Sequence, residues 1–181
     1  MSLRSLAAAL LAFFFLLAAG LDANAAPVEQ PGKDSRCAVC GMFVAKYTNW
    51  VAQIRLTDGP VQWFDGPKDM LAYYFDPVQY GAKSRQSVGE VLVKDYYSLN
   101  WIDGKKAFYV TGSDVHGPMG HEFVPFASRE AAQSFMKDHG GDRVWSFAEI
   151  TPEKVQALRT GSMMKGGGSM PMKGSSPMMH H

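Results

Sequence analysis

Twice in this chain two runs of alternating apolar and polar residues are followed by a turn, a helical period and a third strand-like run, and that order restricts the fold more than any other feature. In the first copy Trp50 to Leu56 alternates and ends at Asp58-Gly59-Pro60, after which Val61 to Phe64 resumes, the pattern of a hairpin. Asp65-Gly66-Pro67 then changes the period. Proline suits a first helical turn, and Met70, Leu71, Tyr74 and Phe75 recur at helical spacing until Asp76-Pro77 stops them. Val88 to Tyr96 supplies the third strand. The second copy reads Ala107 to Thr111, then Glu122 to Phe126, then a helix capped by Ser128 and running through Phe135 to His139. Gly140-Gly141 ends that helix before a strand from Arg143 to Phe147. The junctions Phe64-Asp65-Gly66-Pro67 and Phe126-Ala127-Ser128-Arg129 hold matching places, so the class expected is α+β, built from duplicated ββαβ units, with a short helix from Pro152 to Leu158 after them. Identity between the halves is slight, and the duplication rests on element order.

The two ends differ from this middle. Arg4 precedes an unbroken apolar stretch from Leu6 to Ala19, and Ala23-Asn24-Ala25 is a small-residue cleavage pattern, so residues 1–25 read as a cleavable export signal and the mature chain is expected in the periplasm. The stretch is shorter than the roughly 18 to 20 residues of a spanning helix, and nothing comparable follows it, so no membrane-spanning segment is expected after cleavage. A lipid-anchored precursor would place a cysteine at the cleavage point; the first cysteine is Cys37, and a lipid anchor is therefore not expected. Residues 26–36 read as a flexible leader, residues 37–160 as one domain, and residues 161–181 as a disordered tail. That tail is Gly, Ser, Lys and Pro, carrying Met163, Met164, Met170, Met172, Met178 and Met179 and ending in His180-His181. A net charge of +1 from 18 basic and 17 acidic residues, with no basic block, lacks the footprint of nucleic-acid binding.

Two short segments carry the chemistry. Cys37-Ala38-Val39-Cys40-Gly41-Met42 places two thiols and a thioether beside a glycine that permits a tight turn. His116-Gly117-Pro118-Met119-Gly120-His121 presents a thioether on a loop between two expected strands, with an imidazole on each side. Thiolate and thioether donors select Cu(I), whereas oxygen donors favour harder ions. Other readings of the same residues stand beside this one. A Cys-x-x-Cys pair in an exported protein also suits a disulfide or a thiol–disulfide oxidoreductase using Cys37 and Cys40, although such enzymes place the pair at a helix N-terminus, a setting that Gly41 and the strand-rich sequence after it do not suggest. Cys37, Cys40, His116 and His121 imitate a zinc-binding Cys₂His₂ set, but more than seventy residues separate its halves and Met119 is left without a role. Met70 and Met136 fall inside helical periods and read as core, and His139 as a helix C-terminal residue.

At these residues the chain resembles the NosL family, copper-binding accessory proteins of nitrous oxide reductase maturation. The resemblance is carried by the Cys37 to Met42 run, the helix entry from Trp63-Phe64-Asp65 to Met70-Leu71, the strand from Ala107 to Gly112, and Pro118-Met119-Gly120 leading into Val124-Pro125-Phe126-Ala127. It implies a duplicated ββαβ fold related to the organomercurial lyase MerB and a copper carrier that is not an enzyme. It implies Cu(I) bound by the cysteine before Gly-Met and by the loop methionine, which are Cys40 and Met119 here, with Cys37 and Met42 as candidate third ligands. It also implies docking to a NosDFY-type ABC transporter and delivery toward nitrous oxide reductase. The chain departs from the family in lacking the lipidation cysteine of its many lipoprotein members, and in a Met-rich tail longer than the family's short Met/His ends.

Overall fold

The computed structural model describes residues 28–161; the expected export signal and the Met-rich stretch beyond Gly161 lie outside the described residues. Strands β1 (Ala52–Leu56) and β2 (Val61–Phe64) form the first hairpin, helix α1 (Pro67–Phe75) follows, and β3 (Val88–Lys94) returns beside β1. A short strand β4 (Trp101–Asp103) completes a sheet of order β2-β1-β3-β4. The second unit repeats the arrangement with β5 (Phe108–Ser113), β8 (Val124–Phe126), α2 (Arg129–His139) and β9 (Gly140–Ser146), in the sheet order β8-β5-β9. In each unit the first strand is central and pairs antiparallel with both others, Gln53 facing Trp63 and Leu92 in one and Tyr109 facing Pro125 and Trp145 in the other. The duplicated ββαβ fold is therefore present, element for element. Between β5 and β8 sits a minute hairpin of β6 (His116–Gly117) and β7 (Gly120–His121), and α3 (Pro152–Arg159) closes the described chain against α1.

Local chemistry accounts for the boundaries. Ser128 caps α2 by accepting the Ala131 N–H at 3.2 Å, and Thr151 caps α3 by accepting that of Lys154 at 3.4 Å, ahead of Pro152. Helix α1 also begins on a proline, but its N-cap is Gly66, which has no side chain to serve the first turn. Gly140-Gly141 ends α2 as expected, yet no loop intervenes: with φ of +67° and +134° the two glycines turn the chain directly into β9, and Gly140 already faces Ser113 of β5. The expected strand at Glu122 starts two residues later, because Glu122 and Phe123 leave the hairpin before β8 begins.

The second sheet has a core on each face. Val110, Val124 and Phe126 pack with Ala132 and Phe135 of α2, while Tyr109, Phe123 and Trp145 join the larger core made with Ile54, Phe64, Met70, Leu71 and Tyr73 of the first unit. Met70 is fully buried there and Met136 packs on the smaller core, as their helical spacing indicated. Across the seam Asp95, itself buried, accepts the Ala127 N–H at 2.8 Å with one carboxylate oxygen and both the N–H and hydroxyl of Ser98 with the other, at 2.8 and 2.7 Å. Burial alone would raise its pKa, but these donors outweigh it and hold the carboxyl below its usual range. Truncation by Asp95→Ala leaves those donors without their acceptor and is expected to cost about 2 to 4 kcal/mol, read as a lower urea midpoint.

Candidate metal centre

The cysteine motif is a tight loop hung on the edge of the first sheet. Arg36 bridges Phe43 across its mouth, the Cys37 N–H donates to the Met42 carbonyl at 2.8 Å, and the Gly41 N–H donates to the Cys37 carbonyl at 2.9 Å. Gly41 turns the chain at φ +77°, a conformation that glycine reaches without a Cβ clash. Cys37 bridges Trp63 of β2 in parallel and the Ala38 N–H donates to the Trp63 carbonyl at 2.9 Å, which sets the thiols beside the strand end that leads to Asp65.

There the thiols meet two carboxylates. The Cys40 thiol donates to Asp65 at 3.4 Å and the Cys37 thiol to Asp69 at 3.5 Å, while the Cys40 N–H donates to the Cys37 sulfur at 3.4 Å. Ligand-type atoms of Cys37, Cys40, Asp65 and Asp69 all lie within 4.8 Å of one another. Asp69 is engaged from its other side by Arg159 of α3, Nε to carboxylate 3.6 Å. Burial pushes the Cys37 thiol far up, and burial with the charge of Asp65 pushes Cys40 up to about 11 against the Met42 N–H, which favours the thiolate. Both shifts favour the thiol over the thiolate, and the two cysteines are not joined in a disulfide. Cys37 is buried and Cys40 exposed.

The methionine loop is fastened to the same helix start. Pro118 and Met119 form the tip of the β6–β7 hairpin, and Met119 is 51% exposed, so its thioether is presented rather than packed. Lys68, in the first turn of α1, donates from its ammonium to the Met119 carbonyl at 2.9 Å and the His121 carbonyl at 2.7 Å. In return the carboxylate of Glu122 accepts the backbone N–H of Lys68, and that of Phe123 at 3.0 Å. Glu122 supplies from another unit the hydrogen-bond acceptor that Gly66 lacks. Space for it depends on two glycines: a Cβ on Gly66 would collide with the Glu122 carboxylate, and one on Gly117 would lie 3.2 Å from it.

Of the residues singled out in the sequence, Cys37 and Cys40 therefore converge on Asp65 and Asp69, and the Met119 hairpin lands on Lys68 between them. Met42 is half-buried, with its carbonyl closing the cysteine turn. The zinc-like set of two thiols and two imidazoles is not assembled: the thiols group with carboxylates, and His116 and His121 face each other across the hairpin, Nε2 to Nε2 3.2 Å. Desolvation, His116 and the Lys68 ammonium together lower the pKa of His121. His139 ends α2 and pairs with Asp114 at 3.2 Å. Sequence reasoning missed Asp65, Asp69, Lys68 and Glu122. Two acidic residues four apart at a helix entry were a signal, but one that helix-start preference explains equally well.

Comparison with known proteins gives one consistent result. A model of the NosL family matches residues 27–155. The chain is 34% identical over 136 residues to the copper-binding lipoprotein NosL of Achromobacter cycloclastes, covering 68% of this chain and 67% of that one. It is 30% identical over 139 residues to the copper-binding lipoprotein NosL of Stutzerimonas stutzeri, covering 72% and 68%. Its fold is similar to the crystal structure of the copper chaperone NosL from Shewanella denitrificans, with a TM-score of 0.57 and 25% identity over 70% of this chain and 98% of that one. The lipoprotein names are at odds with the expectation of no lipid anchor, and the segment concerned lies outside the described residues.

The buried Glu122 gives the clamp a pH signature. Burial raises its pKa from 4.5 to about 8, against the Lys68 charge and the two N–H donors. Between those values the folded chain keeps a proton that the unfolded chain has released, so this group's contribution to stability is complete below about 4.5 and falls as pH rises to about 8. Glu122→Gln keeps an acceptor for the helix cap and does not titrate; the difference between its denaturant midpoint and the wild type's is expected to drift steadily across that window, as urea unfolding at a series of pH values would show.

Proposed function

The chain belongs to the NosL family, and from that premise we propose that it is a periplasmic copper carrier, not an enzyme, that binds Cu(I) through the Cys40 thiolate and the Met119 thioether and hands the ion on. The observation that carries the ligand choice is the placing of both segments on residues 65–69, thiols on Asp65 and Asp69 and the methionine hairpin on Lys68. Two soft donors suit a monovalent soft ion, with Cys37 and Met42 of the cysteine loop as candidate third donors. Binding replaces the proton of the Cys40 thiol, and Cu(I) neutralises the thiolate that would otherwise face Asp65. Exposure of Cys40 and Met119 lets an acceptor's donor enter the shell before the first bonds break, so transfer needs no free ion.

The thiol–disulfide reading fares worse on physical grounds. An attacking cysteine works as a thiolate at ambient pH, whereas both thiols here are pushed up and neither sits at a helix N-terminus. The relatives' names stop at copper. Delivery to nitrous oxide reductase through a NosDFY-type ABC transporter is the further step that family resemblance supports, and copper carriage as described is independent of whether a lipid tethers the chain. The six thioethers after Gly161 would collect Cu(I) weakly and raise its concentration near Cys40, by the effective-concentration effect of a tethered chain.

Losing even an outer-shell partner of a metal costs about 10- to 100-fold in affinity, so Cys40→Ser is expected to weaken Cu(I) binding by more than about 100-fold in competition with a chromophoric chelator under reducing conditions. Unchanged affinity would refute the ligand assignment. Truncation after Gly161 is expected to lower the copper stoichiometry while the tightest site stays intact, which metal analysis of the loaded protein checks.

A further inference from the structure

The copper reading leaves the two histidines of the β6–β7 hairpin unused, and their ring nitrogens lie close enough for a small ring rotation to bring both onto one ion. His116 and His121 are cross-strand partners, their ring centroids lie 4.3 Å apart at an interplanar angle of 85°, and their Nε2 atoms converge to 3.2 Å. An ion about 2.0 to 2.1 Å from each nitrogen, the usual metal–imidazole distance, would subtend an N–metal–N angle of about 100°, between the right angle of a square plane and the tetrahedral angle. The pair is held from behind, because the His121 carbonyl is bound by Lys68 and the next residue, Glu122, is itself anchored to α1 by accepting the Lys68 N–H. His116 is exposed and His121 half-exposed, so water can complete the shell.

We propose that His116 and His121 form a second metal site, separate from the sulfur ligands, that takes a borderline divalent cation of the Cu²⁺ or Zn²⁺ class. Imidazole suits such ions, whereas the thiolate and thioether donors across the clamp suit Cu(I). The two sites divide the possible cargo by softness: ions that the sulfur set holds poorly meet nitrogen donors on the same hairpin that presents Met119. The Lys68 ammonium nearby repels a cation, which makes the site an exchangeable one.

Zn²⁺ is the diamagnetic probe, added to the full-length ¹⁵N-labelled chain while the imidazole resonances are followed individually, with His139 as an internal control. The Nε2 signals of His116 and His121 are expected to shift together and to saturate at one common Zn²⁺ concentration. Replacing His121 by His121→Asn is expected to raise the Zn²⁺ needed to shift His116 by about tenfold or more, and His116→Asn to do the same for His121, in line with the cost of losing a metal partner. Imidazoles that stay unmoved, that saturate at different concentrations, or that respond equally well after their neighbour is replaced would overturn the site and leave the 3.2 Å contact a hydrogen bond between rings. Cys40→Ser separates this inference from the Cu(I) reading, since it removes a sulfur ligand and is expected to keep both imidazole shifts.

Discussion

One hydrogen bond between the two halves of the molecule does most to arrange the centre: the buried carboxyl of Glu122, which follows the methionine hairpin, accepts the N–H of Lys68 in the first turn of α1. A helix start leaves several N–H groups without partners, and Gly66 offers none. Glu122 fills that place from 54 residues away, and the Lys68 side chain reaches back to the hairpin carbonyls, so each element completes the other. Asp65 and Asp69 stand on either side of the same turn and orient the thiols. Five consecutive residues, 65 to 69, thereby set the distance between a thiol loop and a thioether loop that are far apart in the chain.

The duplication explains why this happens once. The position of Gly66 is held in the second unit by Ser128, which caps α2 with its own hydroxyl, and that of Asp65 by Ala127, which has no ligand atom. Symmetry of backbone therefore coexists with asymmetry of chemistry. The second unit keeps a self-sufficient helix start and contributes the hairpin inserted between β5 and β8; the first keeps an incomplete helix start that the hairpin finishes.

The repeated elements were legible because each has a local cause: alternation for the strands, Pro67 and Ser128 for the helix starts, Gly140-Gly141 for a helix end. That Cys40 and Met119 stand exposed on turns was legible because their neighbours, Gly41 and Pro118-Met119-Gly120, mark turns that present a side chain. What could not be read were pairings across the fold. Glu122 lay in a run that reads as a strand, and nothing local distinguishes a buried capping carboxylate from a surface one; Lys68 looked like any solvated helix lysine, yet it is buried. Trp101–Asp103 and the two-residue strands of the hairpin are too short to show a period, and they exist because a neighbouring strand is there to pair with. The two carboxylates beside the thiols were hidden by their plausibility as ordinary helix-start residues.

Because the hairpin caps α1, the methionine arm cannot swing outward without also stripping the first turn of that helix of its acceptor and withdrawing two carbonyls from a buried ammonium. On the role proposed for Met119, a hinged arm is therefore the costly way to release an ion, and ligand exchange from the solvent side, with the arm stationary, is the cheap one. For the proposed acceptor, the surface offered by a stationary arm is already shaped before the acceptor arrives, and recognition is a matter of fit rather than of persuading a loop to move.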